Sequence, residues 1–260
     1  MSIKITAELV KELRDQTGVS VMQCKVALEE ALGDKEKALI ILKKKSSSIA
    51  MKKSDRNASD GLIVEESANG KVVLLTLHSE TDFVARNIEF VTLANALVKL
   101  AASEGIESMK AKSADMINLV IQKLGEKIEL GQVEEIIGDV LGVYVHNGKS
   151  AVVTSLSGGT PELAKDVAMH IAAMKPAYMT RDEITEEEKA KVVQVFEKEV
   201  AESDKPEEIK KKMLEGKVMT YFKEQTLMDQ IFIKNAELTV GKLLSDNKAT
   251  LLKFVRESIG

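Results

Sequence analysis

Cysteine is nearly absent from this chain: Cys24 is the only one in 260 residues. That excludes an intrachain disulfide and fits a reducing compartment. Aromatics make up 3% of the residues and tryptophan is missing, so any core must be built from aliphatic side chains. No apolar run approaches the roughly 18 residues of a membrane span. The first residues, Met1 to Thr6, lack the apolar stretch of a signal peptide. A cytoplasmic protein without membrane contact is expected. Charge of one sign is also lacking. The net charge of −4 supplies no global reason for a nucleic-acid partner, and none is expected.

The motifs of familiar catalysts are missing too. No Gly-x-x-x-x-Gly-Lys-Ser/Thr loop and no Gly-x-Gly-x-x-Gly after a strand is present, and no Gly-x-Ser-x-Gly elbow. His78-Ser79-Glu80 imitates the His-x-Glu of zinc deaminases, but the Pro-Cys-x-x-Cys partner is absent. Nothing in the sequence promotes Cys24 or a serine as a nucleophile beside His78, His146 or His170. His146 is expected at an exposed hairpin tip. His170 lies in an apolar helix and is expected to be a satisfied, half-buried structural residue. No cofactor and no metal site are expected.

What is present is a soluble globular composition, 44% apolar and 30% charged, long enough for one large domain or two to three small ones. Residues 5–45 read as three short helices. Thr6 caps the first. Ser20 with Gln23 forms a capping box for a second, Val21 to Leu32. Asp34 caps the third after Gly33. Residues 46–60, rich in Ser, Lys and Asp and made basic by Lys52, Lys53 and Arg56, read as a solvated linker rather than the alternative, a nucleic-acid arm, because no aromatics interleave the charges.

The strongest organising signal is a duplication. Asn69-Gly70-Lys71 precedes an apolar strand, and Asn147-Gly148-Lys149 precedes another. Asn-Gly between strand-like runs marks a hairpin. Each hairpin is followed by a helix, one over Phe83 to Ala102 and one from Glu162 onward. Between the copies an amphipathic helix runs from Ser113 to Leu124, ended by Gly125, and Ile128 to Ile137 reads as an edge strand. The fold class expected is α+β: a three-helix bundle, then a duplicated core of antiparallel hairpins covered by helices. Residues 182–225 have dense charge and a narrow apolar stripe. They read as an antiparallel helical hairpin, opened by a Thr185/Glu188 capping box. Thr239 caps a short helix through Leu244, and Thr250 to Ser258 reads as a strand.

The two copies differ at the corner between hairpin and helix. The second has the plain turn Ser157-Gly158-Gly159-Thr160-Pro161. The first has Glu80-Thr81-Asp82-Phe83. Two readings stand. Thr81 or Asp82 caps a helix on which Phe83 folds back as a hydrophobic staple, or a rigid corner presents a carboxylate and an aromatic to a partner.

At Thr81-Asp82-Phe83-Val84-Ala85-Arg86-Asn87 the sequence resembles the translation elongation factor Ts family, the guanine-nucleotide exchange factors for elongation factor Tu. The resemblance extends to Leu9-Val10-Lys11-Glu12-Leu13-Arg14, Met22-Gln23-Cys24-Lys25, Gly138-Asp139-Val140-Leu141-Gly142-Val143-Tyr144-Val145-His146, Ala168-Met169-His170-Ile171-Ala172-Ala173 and Thr239-Val240-Gly241. It implies the following roles. The bundle is of the ubiquitin-associated type and docks on the GTPase through Arg14, Val21, Met22 and Lys25. Thr81, Asp82, Phe83 and Val84 form a wedge beside the partner's magnesium. Leu124, Gly125, His146 and Ile233 add contacts. The helical hairpin corresponds to a coiled coil that offers a route to a homodimer. Domains are then expected at 1–54 (bundle and linker start), 55–138 and 139–181 (core subdomains), 182–225 (helical hairpin) and 226–260 (a return completing the second subdomain). Two departures stand out: Val21 where the family often has Met, and Lys234-Asn235 where apolar residues are usual. From the residues alone, rival readings are a ubiquitin-associated-type adaptor that tethers proteins without acting on nucleotide, and a hydrolase using Cys24 or a histidine.

Overall fold

The computed structural model describes residues 5–260; Met1 to Lys4, part of the segment read for a signal peptide, lie outside the described residues. The chain divides into two compact units. The first comprises residues up to Ile136 together with Val145–Ala151 and Glu257–Gly260; the second comprises Ile137–Tyr144 and Val152–Arg256.

The first unit opens with the bundle: α1 (Ala7–Thr17), α2 (Val21–Glu30) and α3 (Lys35–Met51). Thr6, Ser20 and Asp34 each cap the third residue of the following helix, at Leu9, Gln23 and Lys37. These bonds satisfy amide groups that a helix start leaves free. The small core is aliphatic, with Leu13, Leu28, Ala38 and Leu42 essentially closed to solvent. Cys24 is buried in it, where its thiol reaches the Val19 carbonyl at 3.7 Å.

Two expectations fail here. The second helix stops at Glu30, and the chain turns through left-handed Leu32 and Gly33. The supposed linker is helical to Met51. Ser46 and Ser47 return their hydroxyls to the Lys43 carbonyl, so polar residues that read as loop formers are absorbed into helix.

Strands β1 (Asp60–Ala68) and β2 (Lys71–Ser79) follow, antiparallel, with Asp60 opposite Ser79 and Ala68 opposite Lys71. Asn69 and Gly70 both have positive φ, 52° and 71°, as a two-residue hairpin turn with the sheet's own twist requires. Helices α4 (Asp82–Ala85), α5 (Ile88–Glu104) and α6 (Ile106–Leu124) lead to β3 (Ile128–Ile137). The sheet order is β1-β2-β3, so β3 is an edge strand. Val73, Leu75 and Leu77 alternate along β2 and meet Phe90, Leu93, Leu97 and Ala101, the inner stripe of α5.

The single helix expected from Phe83 to Ala102 is two helices. Asn87 is extended (φ −68°, ψ 138°) and caps α5 through its side chain, which accepts from Glu89 N at 2.9 Å. The helix expected from Ser113 begins at Ile106, directly after Gly105, whose φ of 92° breaks the chain between α5 and α6.

The second unit repeats the plan. Strands β4 (Val140–His146) and β5 (Ser150–Ser157) form a hairpin whose tip clusters with the first unit, and β6 (Thr250–Ser258) completes a sheet ordered β4-β5-β6. Helix α7 (Pro161–Met174) starts from the plain corner, with Thr160 as cap and Pro161 at the first helical position. It lies so close to β4 that a Cβ on Gly142 would come within 2.1 Å of the Ala164 carbonyl carbon. Helices α8 (Glu186–Ala201) and α9 (Glu207–Gln225) form an antiparallel hairpin, pinned by Lys217 to Glu199 at 2.5 Å and by Phe196 edge-on to Tyr221. The Thr185/Glu188 capping box is present in both directions. Helix α10 (Val240–Asp246) returns Val240 and Leu244 to the core around Ile171 and Leu227.

Candidate functional site

The corner between β2 and α4 is built from both sides. Ser79, fully buried, donates its hydroxyl to the Thr81 carbonyl at 3.0 Å. Thr81 is extended and is the N-cap; its Oγ1 accepts from Val84 N at 3.4 Å. Asp82 is therefore the first helical residue, and Phe83 the second rather than the first. From the turn after α6, Glu126 reaches across: Thr81 donates its amide to Oε2 at 3.1 Å and its hydroxyl to Oε1 at 2.8 Å. Glu80 reaches the other way, accepting from Lys127 N at 2.6 Å and from Arg56 at 3.2 Å. The Lys127 amide, with Arg56 behind it, holds the Glu80 carboxyl below the usual carboxylate range, against the opposing effect of partial burial.

What this corner presents is an acid and a ring. The Phe83 side chain is 83% exposed. It does not fold back as a staple, because Val84 and Ala85 occupy the inward face of this one-turn helix. Val84, grouped with the wedge from the sequence, turns into the core and anchors the turn instead. Asp82 stands at a helix start, where negative charge is favoured, and its carboxylate accepts from Arg86 at 2.8 Å.

Leu124 and Gly125 lie beside this corner through the same pair of glutamates. Gly125 ends α6 in the left-handed conformation (φ 77°), its amide bonded to the Ile121 carbonyl at 2.9 Å. Its own carbonyl accepts from Lys53 Nζ at 2.6 Å. Lys53 and Arg56, read from the sequence as part of a solvated basic linker, are thus structural.

On the bundle, Val21 and Met22 are exposed apolar residues at the start of α2, 50% and 66% accessible. Arg14, Val21 and Lys25 line a shallow apolar groove of about 440 Å³ with Val10 and Lys11. The bundle is docked on α6 by polar contacts: Gln122 donates to Gln23 at 3.1 Å, and Lys43 meets Asp115 at 2.6 Å. Met22 therefore precedes a residue that touches α6 two positions before Leu124.

His146 is exposed at the tip of the second hairpin. That tip is tied to β1: Ile63 N donates to the Gly148 carbonyl at 2.7 Å, and Lys149 pairs with Asp60 and donates to the Gly61 carbonyl at 2.8 Å. Burial works to raise the Asp60 carboxyl, but Lys149 and the Gly61 amide outweigh it and hold the carboxyl below its ordinary range. Ile233 belongs to the second unit and is 43% exposed. Its amide donates to His170 Nδ1 at 3.3 Å, while His170 Nε2 bonds Gln230 at 2.9 Å. His170 is fully buried, and desolvation holds its imidazole below the usual histidine range. His78 is half-buried against the Asp60 carbonyl. Among the described residues, no three His, Cys, Asp or Glu side chains gather as metal ligands, and no helix is long and apolar enough to cross a membrane.

A family model described as Elongation factor TS matches residues 80–260. The chain belongs to the elongation factor Ts family. The match opens at Glu80, so it takes in the whole Thr81–Phe83 corner, the Leu124–Gly125 turn, His146 and Ile233, while the bundle precedes it. Elongation factor Ts proteins are nucleotide exchange factors of translation elongation that partner elongation factor Tu, and this family member takes its place in that process. Its residues missed by sequence reasoning are Glu80, Glu126, Lys53 and Arg56. No spacing rule pairs them, since each bond spans between 24 and 72 positions of chain.

Proposed function

We propose that this chain binds elongation factor Tu carrying GDP and promotes GDP release by setting Asp82 and Phe83 beside the bound magnesium, so that GTP can rebind. The observation that carries this reading is the outward Phe83 ring on a corner held by Thr81, Glu126 and Glu80. A ring kept in water by rigid backbone gains free energy only when a partner covers it. Full burial supplies about 1.5–3 kcal/mol. A thousandfold faster release needs about 4 kcal/mol off the barrier, at about 1.36 kcal/mol per decade. Phe83 alone falls short. Asp82 competes for the metal's water shell or repels the phosphates. The remainder comes from contacts at Arg14, Val21, Met22 and Lys25, at Leu124, Gly125 and His146, and at Ile233. That binding energy must favour the nucleotide-free partner, and coupling is reciprocal, so nucleotide expels the factor in turn. The exchange requires no covalent chemistry on this chain. The protein acts in the cytoplasm, without nucleic acid or membrane, and its helical hairpin offers a surface for homodimerisation.

The test is release of labelled GDP from purified elongation factor Tu with and without this protein. Acceleration is expected. An unchanged rate overturns the reading and favours an adaptor that only tethers proteins.

A further inference from the structure

The two corners of the first unit that the proposed function sets against the partner, Asp82–Phe83 and Leu124–Gly125, are far apart in sequence and share no covalent constraint. What joins them is a crossed pair of carboxylates. Glu126 leaves the Leu124–Gly125 turn and accepts both the amide and the hydroxyl of Thr81, at 3.1 and 2.8 Å. Glu80 leaves the Asp82–Phe83 corner and accepts from Lys127 N at 2.6 Å. Each corner thus holds the other's backbone. Two cations that follow α3 close the frame, Arg56 on Glu80 and Lys53 on the Gly125 carbonyl at 2.6 Å.

We infer that Glu126, with Glu80 as its counterpart, is a positioning residue for exchange: it sets the spacing between the Phe83 wedge and the Leu124–Gly125 contact. This rests on the function proposed above. The chemistry suits the task. A carboxylate accepting from main-chain N–H is a charge-assisted bond to a group that cannot rotate away, stronger than a neutral pair. Thr81 Oγ1 is shared: it donates to Glu126 and accepts from Val84 N. Losing Glu126 therefore frees both the first turn of α4 and its offset from α6. Phe83, 83% exposed, supplies none of the bonds of this frame, so its chemistry is intact while its position is lost. Displacements near 1 Å cost on the order of a hundredfold where reacting groups must align, and a wedge contact is less exacting.

The experiment compares wild type, Glu126→Gln, Glu80→Gln and Glu129→Gln. Glutamine keeps the size of the side chain, but its second terminal atom is an NH2 that cannot accept, so the Thr81 amide and hydroxyl cannot each find an oxygen as they do on Glu126. Glu129, exposed on β3, pairs with the Lys127 side chain without touching its amide and controls for the lost charge. GDP release is followed against factor concentration, and amide hydrogen exchange at Thr81 and Val84 is measured in the free protein. Glu126→Gln is expected to lower the plateau rate about tenfold, with the half-saturating concentration changed less than about twofold, and to speed exchange at both amides. Glu80→Gln keeps an oxygen for Lys127 N but loses the charge that strengthens that bond and the hold on Arg56; it should lower the plateau in the same direction and speed exchange at the Lys127 amide, and serves if Glu126→Gln fails to fold. Glu129→Gln should match wild type. If wild type accelerates release and the Glu126 and Glu80 variants match it in plateau, or lose only half-saturation, the positioning role is overturned. If wild type does not accelerate release, the proposed function fails and this inference falls with it.

Discussion

Arg86 holds the carboxylate of Asp82 at 2.8 Å, one helical turn along the same short helix. The pair is exposed, so it adds little stability: such i,i+4 pairs contribute about 0.3–0.5 kcal/mol. Its consequence is electrostatic. Under the proposed function Asp82 would meet its partner as half of an ion pair, and approaching a magnesium ion would mean exchanging Arg86 for the metal's water shell.

Asp82→Ala is accordingly expected to reduce GDP release only in part. The deficit should shrink when magnesium is removed with EDTA beforehand. Release assays with and without chelator check this; an equal deficit in both conditions would argue against any action on the metal.

Phe83→Ala should behave differently. The ring is exposed, so thermal stability should move by no more than about 0.5 kcal/mol. Exchange stimulation should fall at least tenfold with or without EDTA, given about 1.5–3 kcal/mol of lost burial against the partner. Unaltered stimulation would refute the wedge.

Thr81→Ala removes a cap as well as a hydroxyl bound to Glu126. A cost of about 1 kcal/mol in unfolding free energy is expected, as for other N-caps. Thr81→Ser keeps both bonds and should recover most of the loss. Chemical denaturation of the two variants checks the difference.

His170 carries a pH dependence. Burial holds its folded-state pKa below the unfolded value near 6.5. The unfolded chain therefore binds more protons, and stability is complete above pH 6.5 and erodes as pH falls from there toward the folded pKa. The slope cannot exceed about 1.36 kcal/mol per pH unit for one proton. The carboxyls held low by their partners, Glu80 and Asp60 among them, act only below their own unfolded values near 4.5 and 3.8. Between pH 6.5 and 5 the decline is thus expected to belong to His170. His170→Leu should be less stable overall, since it abandons Gln230, yet flatter across that window. Denaturation midpoints at several pH values decide it.

Gly142→Ala tests the close approach of α7 to β4. The added Cβ has only about 2 Å to the Ala164 backbone, and forcing such contacts apart costs typically 1–3 kcal/mol. A variant as stable as wild type would show that the helix can move aside without penalty.

Local rules reached most of the elements. Thr6, Ser20, Asp34, Thr185 and Thr239 are all caps where their residue types and the following apolar stripe placed them. The Asn-Gly pairs made both hairpins legible, since only residues tolerant of positive φ complete such turns. Errors came where a local signal had two meanings. Serines and lysines after Leu42 suit a linker, but equally an exposed helix whose stability comes from α6 beside it. Asn87 is a cap type inside a continuous apolar pattern, and the pattern masked the break.

For the candidate site, the duplication and the plain second corner marked Asp82-Phe83 as added to one copy, and the motif order marked the family. Those are properties of residue type and spacing, which the chain carries in itself. Whether Phe83 lies against its own helix or in water was decided by Val84 and Ala85 taking the inward face. Whether the two corners are tied to one another was decided by Glu126 and Glu80, paired with groups about 45 positions away. A helix or hairpin repeats every few residues and so leaves a period in the sequence. A carboxylate meeting a distant amide has no period, and only the folded chain brings the two within reach.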